Sequence, residues 1–426
     1  MLLPAKESTG GKEILSSRPA LTDDGHFNWQ VLNDTTDYMA DHFYLRGNFI
    51  TAWAALNAKI FSTSVEEQVT LGRGDWLFYS STMDDYHGRS MSEQELYCAV
   101  HNLAMMQEYA DSAGVRFVFT VAPNKNSLYP SFMREEGKHE SSSLVALVPE
   151  LRSAGVCYAD LFAAFREEPV LYYETDSHWN EKGAALGADT ILAALGRKTD
   201  FYSGDFSAFT EHRGDLYEML YPTGKMTETA PAYAGPLHYE VQGDPNGGNA
   251  MRIRTVNSAA SDKLFCWRDS FGISLYPYLA ESFGETMFSR STDYDLTVAE
   301  AEGYNVFILE LVERNLSQLA TKAPILPAPG RELTPDKTLS ETVPYSIDTK
   351  KAAGEDLCCV CGELPDGYDP CTPVYLKTPA GYVEASLTTA DGQTCFSAWV
   401  GENESKIEAI LVSMGGNLSA YPAVCH

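Results

Sequence analysis

No stretch of this 426-residue sequence reaches the ~18 consecutive apolar residues that a membrane-spanning helix needs. Met1 to Ala20 also lacks a charged segment followed by an apolar one, so no secretion signal is expected there. Basic residues are scarce: 31 Lys and Arg stand against 59 Asp and Glu, for a formal net charge of −28. Binding phosphate backbones or an anionic bilayer takes clustered Lys and Arg, so the charge argues against nucleic acid and anionic membrane as partners. A strongly polyanionic substrate is disfavoured unless a local basic patch overrides the global field. The sequence has no internal repeat and no low-complexity tract, which sets aside solenoids and fibrous arrays.

What the chain does contain is ordinary globular material, 44% hydrophobic and 21% charged, long enough for about two to three domains. Aromatics reach 12%, with 24 Tyr, a surplus that serves either sugar stacking or β-rich packing. Of nine cysteines, Cys98, Cys157 and Cys266 sit singly in apolar patterns and read as small core residues. Cys358, Cys359, Cys361, Cys371, Cys395 and Cys425 crowd the C-terminal region, which suggests a disulfide-stapled module and an oxidising compartment. Zinc is the rival, but Cys-Cys-x-Cys is an unusual ligand spacing and no histidine is near until His426; unpaired thiols are the third reading.

Periodicity orders the rest. Asp37 to Ile60 repeats at helical spacing, and Val69 to Tyr79 places two apolar runs around Gly72-Arg73-Gly74-Asp75, a hairpin whose glycines are expected at positive φ. Helices are predicted over 92–113, 142–154, 181–195 (N-capped by Asn180) and 271–282. Strands are predicted over 115–121, 156–160, 263–267, 286–289 and 304–311. Alternating strands and helices imply βαβ units and a parallel sheet covered on both faces. Residues 198–262, rich in Gly, Pro and Tyr, read as an irregular excursion of the kind that carries binding surface. Beyond the Pro-rich run at 323–330, short strands over 374–377, 382–385, 395–399 and 407–412 fit a small β-sandwich.

Two motifs carry chemistry. Thr175-Asp176-Ser177-His178-Trp179-Asn180 offers a carboxylate and an imidazole two residues apart, just ahead of a helix. Trp267-Arg268-Asp269-Ser270-Phe271-Gly272 puts a serine where a strand ends and a helix begins, the place where open parallel sheets bind ligands. Ser270 as nucleophile, His178 as base and Asp176 as orienter complete an acyl-transfer triad. The same residues admit blander readings. Asp269 or Ser270 caps the helix, His178 packs structurally, or Asp176 and His178 ligate a metal with Asp269 or Asp160.

These motifs, with Asn305-Val306-Phe307-Ile308-Leu309-Glu310-Leu311-Val312-Glu313-Arg314-Asn315 in the same order, resemble the SGNH-hydrolase-like proteins of polysaccharide O-acetylation, the alginate acetyltransferase group and its DHHW relatives. Asp41-His42-Phe43-Tyr44-Leu45-Arg46, Gly72 to Phe78 and Ala122-Pro123-Asn124-Lys125 are similar to that family's N-terminal signatures, so the likeness covers roughly residues 20–320. It implies the triad Ser270, His178 and Asp176, a nearby Tyr276, and Asn124, Lys125 and Arg290 as candidates for oxyanion or substrate contact. It implies no cofactor and no metal. Its partners are a polysaccharide acceptor and an acetyl donor, with a membrane-bound acyltransferase as candidate supplier. It also implies an extracytoplasmic location, although family members usually carry an export signal or anchor that is not visible here. The alginate enzymes act on a polyuronate, whereas a charge of −28 suits a neutral glycan better.

The expected architecture is an α/β, SGNH-like and flavodoxin-like parallel sheet with helices on both faces, plus a small C-terminal all-β domain. Its expected parts are a lead-in at 1–80, a catalytic domain at 81–322, a Pro-rich linker at 323–345 and a β-sandwich module at 346–426, a candidate carbohydrate binder. The expected activity is acetyl transfer to or from a polysaccharide hydroxyl, as an O-acetyltransferase or acetylesterase. The alternative from another class is a non-catalytic glycan-binding scaffold with an idle triad, told apart by the Ser270–His178 separation.

Overall fold

The computed structural model describes residues 16–425 apart from 24–25, 42, 44, 89–90, 139–140, 244–250, 353–355 and 391. The N-terminal stretch 1–15, the signature residues His42 and Tyr44, and His426 lie outside the described residues. No helix among the described residues is long and apolar enough to cross a membrane.

Among the described residues, seven strands form the main sheet. Five are parallel, in the spatial order Tyr158–Ala159, Arg116–Ala122, Val306–Val312, Lys263–Trp267 and Glu285–Ser289. Arg252–Val256 and Glu240–Gln242 extend the sheet antiparallel beyond Glu285–Ser289. The order corrects the flavodoxin-like expectation, in which the last strand would lie at an edge. Here the last parallel strand enters the middle, and its composition explains why. All seven residues of Val306–Val312 are buried, which only a central strand with both faces covered can achieve.

Each central strand sends alternate side chains to two cores, as the period of two requires. Phe117, Phe119 and Val121 join Phe265, Trp267, Phe307 and Leu309 under the Glu93–Ser112 and Ser143–Ser153 helices. Val118, Ala122, Leu264, Cys266 and Ile308 face the Glu181–Ala194 and Gly272–Glu281 helices. The helices start where the sequence says they should. Ser92 forms a reciprocal capping box with Glu95, Ser142 accepts from Val145 N–H, and Asn180 accepts from Gly183 N–H.

The lead-in forms two helices, Val31–Asp41 and Arg46–Phe61, and the Val69–Leu71/Leu77–Tyr79 hairpin. Only Gly74 of the turn has positive φ, +65°. Gly72 is required by close approach instead, since a Cβ there would lie 2.6 Å from the Phe78 ring and 2.8 Å from two carbonyl oxygens.

Three further expectations are corrected. Residues 198–262 are not wholly irregular, because they supply the Ala208–His212/Glu228–Ala232 hairpin, the Asp215–Leu220 helix and two strands of the main sheet. The expected linker contributes Gly330–Arg331, Lys337–Thr338 and the start of Val343–Lys351 to a second sheet, ten-stranded among the described residues. Finally, no disulfide joins any of the nine cysteines. Cys358 faces one core of its strand and Cys359 the other, as neighbouring strand positions must, which divides the expected cluster between two faces.

The second sheet is locked onto the first unit through the Glu93–Ser112 helix. Buried Asn102 donates to Leu319 O at 3.0 Å and Leu387 O at 2.8 Å, and accepts from Leu387 N–H at 3.1 Å. Asn102→Ala strands three backbone groups, and urea unfolding is expected to show a loss of about 2–3 kcal/mol.

Candidate active site

The two motifs meet at the carboxyl end of the central strands. Ser270 follows the Lys263–Trp267 strand and stands two residues before the Gly272–Glu281 helix. Its loop is tied to the end of the last strand by Asp269, which accepts from Phe271 N–H at 2.9 Å, Val312 N–H at 2.7 Å and Asn315 Nδ2–H at 3.2 Å. His178 lies in the loop before the Glu181–Ala194 helix, its ring centroid 4.7 Å from that of Phe271.

Ser270 Oγ and His178 Nε2 are 2.8 Å apart, and His178 Nδ1 and Asp176 Oδ1 are 2.7 Å apart. A carboxylate can only accept, so Nδ1 carries the proton and Nε2 offers its lone pair to the serine.

Asp176 is only 5% exposed and collects four N–H donors. Oδ1 accepts from His178 N–H at 2.9 Å and from Nδ1, while Oδ2 accepts from His212 Nε2–H at 2.7 Å and Asp215 N–H at 2.9 Å. Burial alone would raise its pKa, but the bonds from His178 and His212 hold it well below the usual carboxylate value. Burial also works against the charged imidazole of His178, yet the hydrogen bond and charge of Asp176 lift it above its ordinary value. The same balance raises His212. Asp215 is raised by burial and by the charge of Asp176, and accepts from Ser177 N–H and Oγ–H at 2.8 and 2.7 Å.

His212 and Asp215 were absent from the sequence reading. They come from the 198–262 excursion, where the only local signal is Gly214 between them, and His212 stacks on Tyr173 at 3.9 Å. Asp176, His178 and Asp215 place ligand atoms within 4.8 Å of one another, so a cation could be considered there. The donor set argues against it, because both oxygens of Asp176 and both nitrogens of His178 already have hydrogen-bond partners. The third ligands considered earlier are engaged elsewhere, Asp269 in the serine loop and Asp160 capping Leu161–Phe165.

A cavity of about 570 Å³ opens beside the pair, lined by Asp176, His178, Ser270 and Tyr276 among others. Of the remaining candidates, Asn124, Lys125 and Arg290 do not line it. Asn124 is buried, with its backbone N–H on Glu313 at 2.7 Å and its side-chain amide lacking a partner. Arg290 donates its backbone N–H to Met251 O, just before the Arg252–Val256 strand. Lys125 is a positioning residue, since Nζ donates to the carbonyls of Tyr173, Glu174 and Asp176 at 2.8–2.9 Å. Burial pushes its pKa down to about 7 against the pull of Asp176, Glu228 and Asp215. Three acceptors match the three donors of an ammonium group, which a neutral amine could not serve.

Gly214 closes the other side of the loop, where a Cβ would sit 2.2 Å from Thr175 O. Gly214→Ala must therefore move the backbone next to Asp176. The expected result is a loss of about 1–3 kcal/mol in stability and disappearance of the downfield His178 Nδ1 proton resonance.

With this geometry in hand, comparison with known proteins gives a consistent answer. Residues 69–275 match the family described as SGNH hydrolase-like domain, acetyltransferase AlgX. The chain is similar to the probable alginate O-acetylase AlgJ of Pseudomonas syringae, 26% identical over 238 residues, covering 50% of this chain and 56% of that one. Its likeness to AlgJ of Pseudomonas putida is 25% over 271 residues, covering 61% and 66%. The chain thus spans between about half and two thirds of the length of these relatives. The solved structure of Bacillus cereus PatB1 with a sulfonyl adduct aligns over 60% of this chain and 99% of its own, at 15% identity and a TM-score of 0.46. The residues that match this family, 69–275, include Asp176, His178 and Ser270.

Proposed function

We propose that this protein moves an acetyl group onto, or off, a polysaccharide hydroxyl through an acetyl-Ser270 intermediate. The observation that carries the proposal is the unbroken line Ser270–His178–Asp176, with separations of 2.8 and 2.7 Å. A serine and histidine already within hydrogen-bond reach support catalysis over an idle scaffold. The family match and the alginate O-acetylase names of its relatives support acetyl chemistry on a glycan.

In this reading, Ser270 Oγ adds to the acetyl carbonyl as His178 Nε2 takes its proton. The N-terminal end of the Gly272–Glu281 helix favours the oxyanion. Collapse expels the donor's leaving group, which takes the proton from Nε2. The acceptor hydroxyl then gives its proton to Nε2 and adds to the acetyl-serine carbonyl, and Ser270 leaves reprotonated. Asp176 fixes the tautomer throughout, and a water in place of the sugar makes the same cycle an esterase.

The proposed catalytic unit is residues 81–322, carried on the lead-in at 1–80, with the β-rich module over 346–426 as a glycan-binding accessory. The proposed setting is extracytoplasmic, with acetyl supplied by a membrane-bound acyltransferase.

The first test is hydrolysis of a chromogenic acetyl ester, which Ser270→Ala is expected to abolish with its circular dichroism unchanged. Ser270-independent hydrolysis, or none in the wild type with either water or a glycan as acceptor, would sink the proposal. Asp176→Asn should lower kcat by about 10⁴-fold through the wrong tautomer.

The pH profile supplies a signed test. His178 works as a base when neutral, so activity falls as pH drops through its pKa, here raised above 6.5. Asp176→Asn should move that acid limb to lower pH. His212→Phe keeps a ring against Tyr173 but removes a donor from Asp176, and should move the limb to higher pH.

A further inference from the structure

The cavity beside Ser270 has a chemistry that narrows the acceptor, given the acetyl-transfer reading above. Its volume of about 570 Å³ falls in the ordinary range for small-molecule sites, roughly 300–1,000 Å³. Tyr173, Tyr233, Tyr239, Tyr276 and Tyr278 line it. They are arranged at angles: Tyr239 meets Tyr276 edge-on at 6.0 Å, and Tyr233 meets Tyr278 edge-on at 5.3 Å. Tyr278 is buried and Tyr173 has one face on His212, which leaves Tyr233, Tyr239 and Tyr276 as the rings best placed to offer negative π faces to the C–H faces of a pyranose.

The charges are one-sided. Asp176 and Glu181 line the cavity, and no lysine or arginine does among the described residues. Lys182, Arg314 and Lys125 are engaged by other partners. Lys182 Nζ lies over the rings of Tyr202 and Phe206 at 5.6 and 5.3 Å. The Arg314 guanidinium lies over Tyr79 and Phe271 at 5.2 and 5.5 Å. Lys125 is spent on three carbonyls. His212 is paired with Asp176, which balances its charge. Asp176 is set against His178 and His212, so Glu181 is the lining carboxylate that a uronate placed against the tyrosines would meet, with no lysine or arginine to receive it among the described residues, on a chain whose net charge of −28 repels a polyanion at range.

We propose that this cavity binds an uncharged pyranose glycan as the acyl acceptor and excludes uronate chains. The test is calorimetric binding to full-length Ser270→Ala, which turns nothing over. The probes are hexasaccharides of uncharged glucan, mannan and galactan, set against a hexauronate. At least one uncharged glycan is expected to bind ten-fold or more tightly than the uronate in low salt, with the gap narrowing as salt screens the repulsion. Glu181→Gln, which keeps an oxygen for its bond from Tyr233 N–H, should also narrow the gap. Tyr276→Ala should abolish the binding heat.

Equal or tighter uronate binding would overturn the inference, as would failure of every uncharged glycan to bind. Because the readout is binding, it stands apart from the triad: loss of Ser270-dependent ester hydrolysis would refute the acetyl-transfer reading while leaving the glycan preference measurable.

Discussion

A carboxylate that is 5% exposed must find all its hydrogen bonds inside the protein, and Asp176 is the point on which this structure turns. Its four N–H donors come from its own loop and from the segment carrying His212 and Asp215. Satisfying one buried charge thereby fixes the imidazole of His178, stacks His212 on Tyr173 and docks the 198–262 excursion over the sheet. The loop has little freedom left. Lys125 holds its carbonyls from below, Glu228 takes the N–H groups of Glu174 and Thr175, and Gly214 packs against Thr175 too closely for any side chain.

The serine is held by a similar logic with the charges arranged differently. Asp269 spends both oxygens on N–H groups of the serine loop and of the 312–315 segment. Its own N–H rests on Glu310, a carboxyl whose pKa burial raises well above the usual value. One acid is kept charged against the imidazole of His178, and another is driven toward neutrality beside Asp269 in the Ser270 loop. Burial raises both, but Glu310 also faces the charge of Asp269, whereas Asp176 is offset by hydrogen bonds from His178 and His212 and by the charge of His178.

Much of this was legible in the sequence because it is local. The Lys263–Trp267 strand, the Asn180 cap and the Asp176/His178 pair are written in contiguous residues whose period or spacing has one physical meaning. His212 and Asp215 were not, since they join the site only by topology, across more than thirty residues without sustained periodicity. Lys125 reads in the sequence as a candidate substrate contact, and in the fold its Nζ is turned to three backbone carbonyls, which local sequence has no way to signal. Val343–Lys351 and Asn417–Cys425 escaped as strands for a plain reason: Pro344 and Pro422 interrupt them, and proline ordinarily argues against a paired strand. The flavodoxin-like strand order failed where sequence is weakest, in deciding which buried strand lies between which neighbours.

The central position of Val306–Val312 sets a schedule for the molecule's birth. The strand Arg116–Ala122 and the strand Lys263–Trp267, which precedes Ser270, do not pair with each other; each pairs with Val306–Val312. A chain emerging from the ribosome has therefore made Asp176, His178 and Ser270 well before it has the piece that brings them into register. Until residue 312 is free, two hydrophobic strand edges wait for the same partner, and chain closure over nearly two hundred residues must follow. A nascent or truncated chain lacks the strand that joins its two halves, and its vulnerability to aggregation is concentrated in that interval.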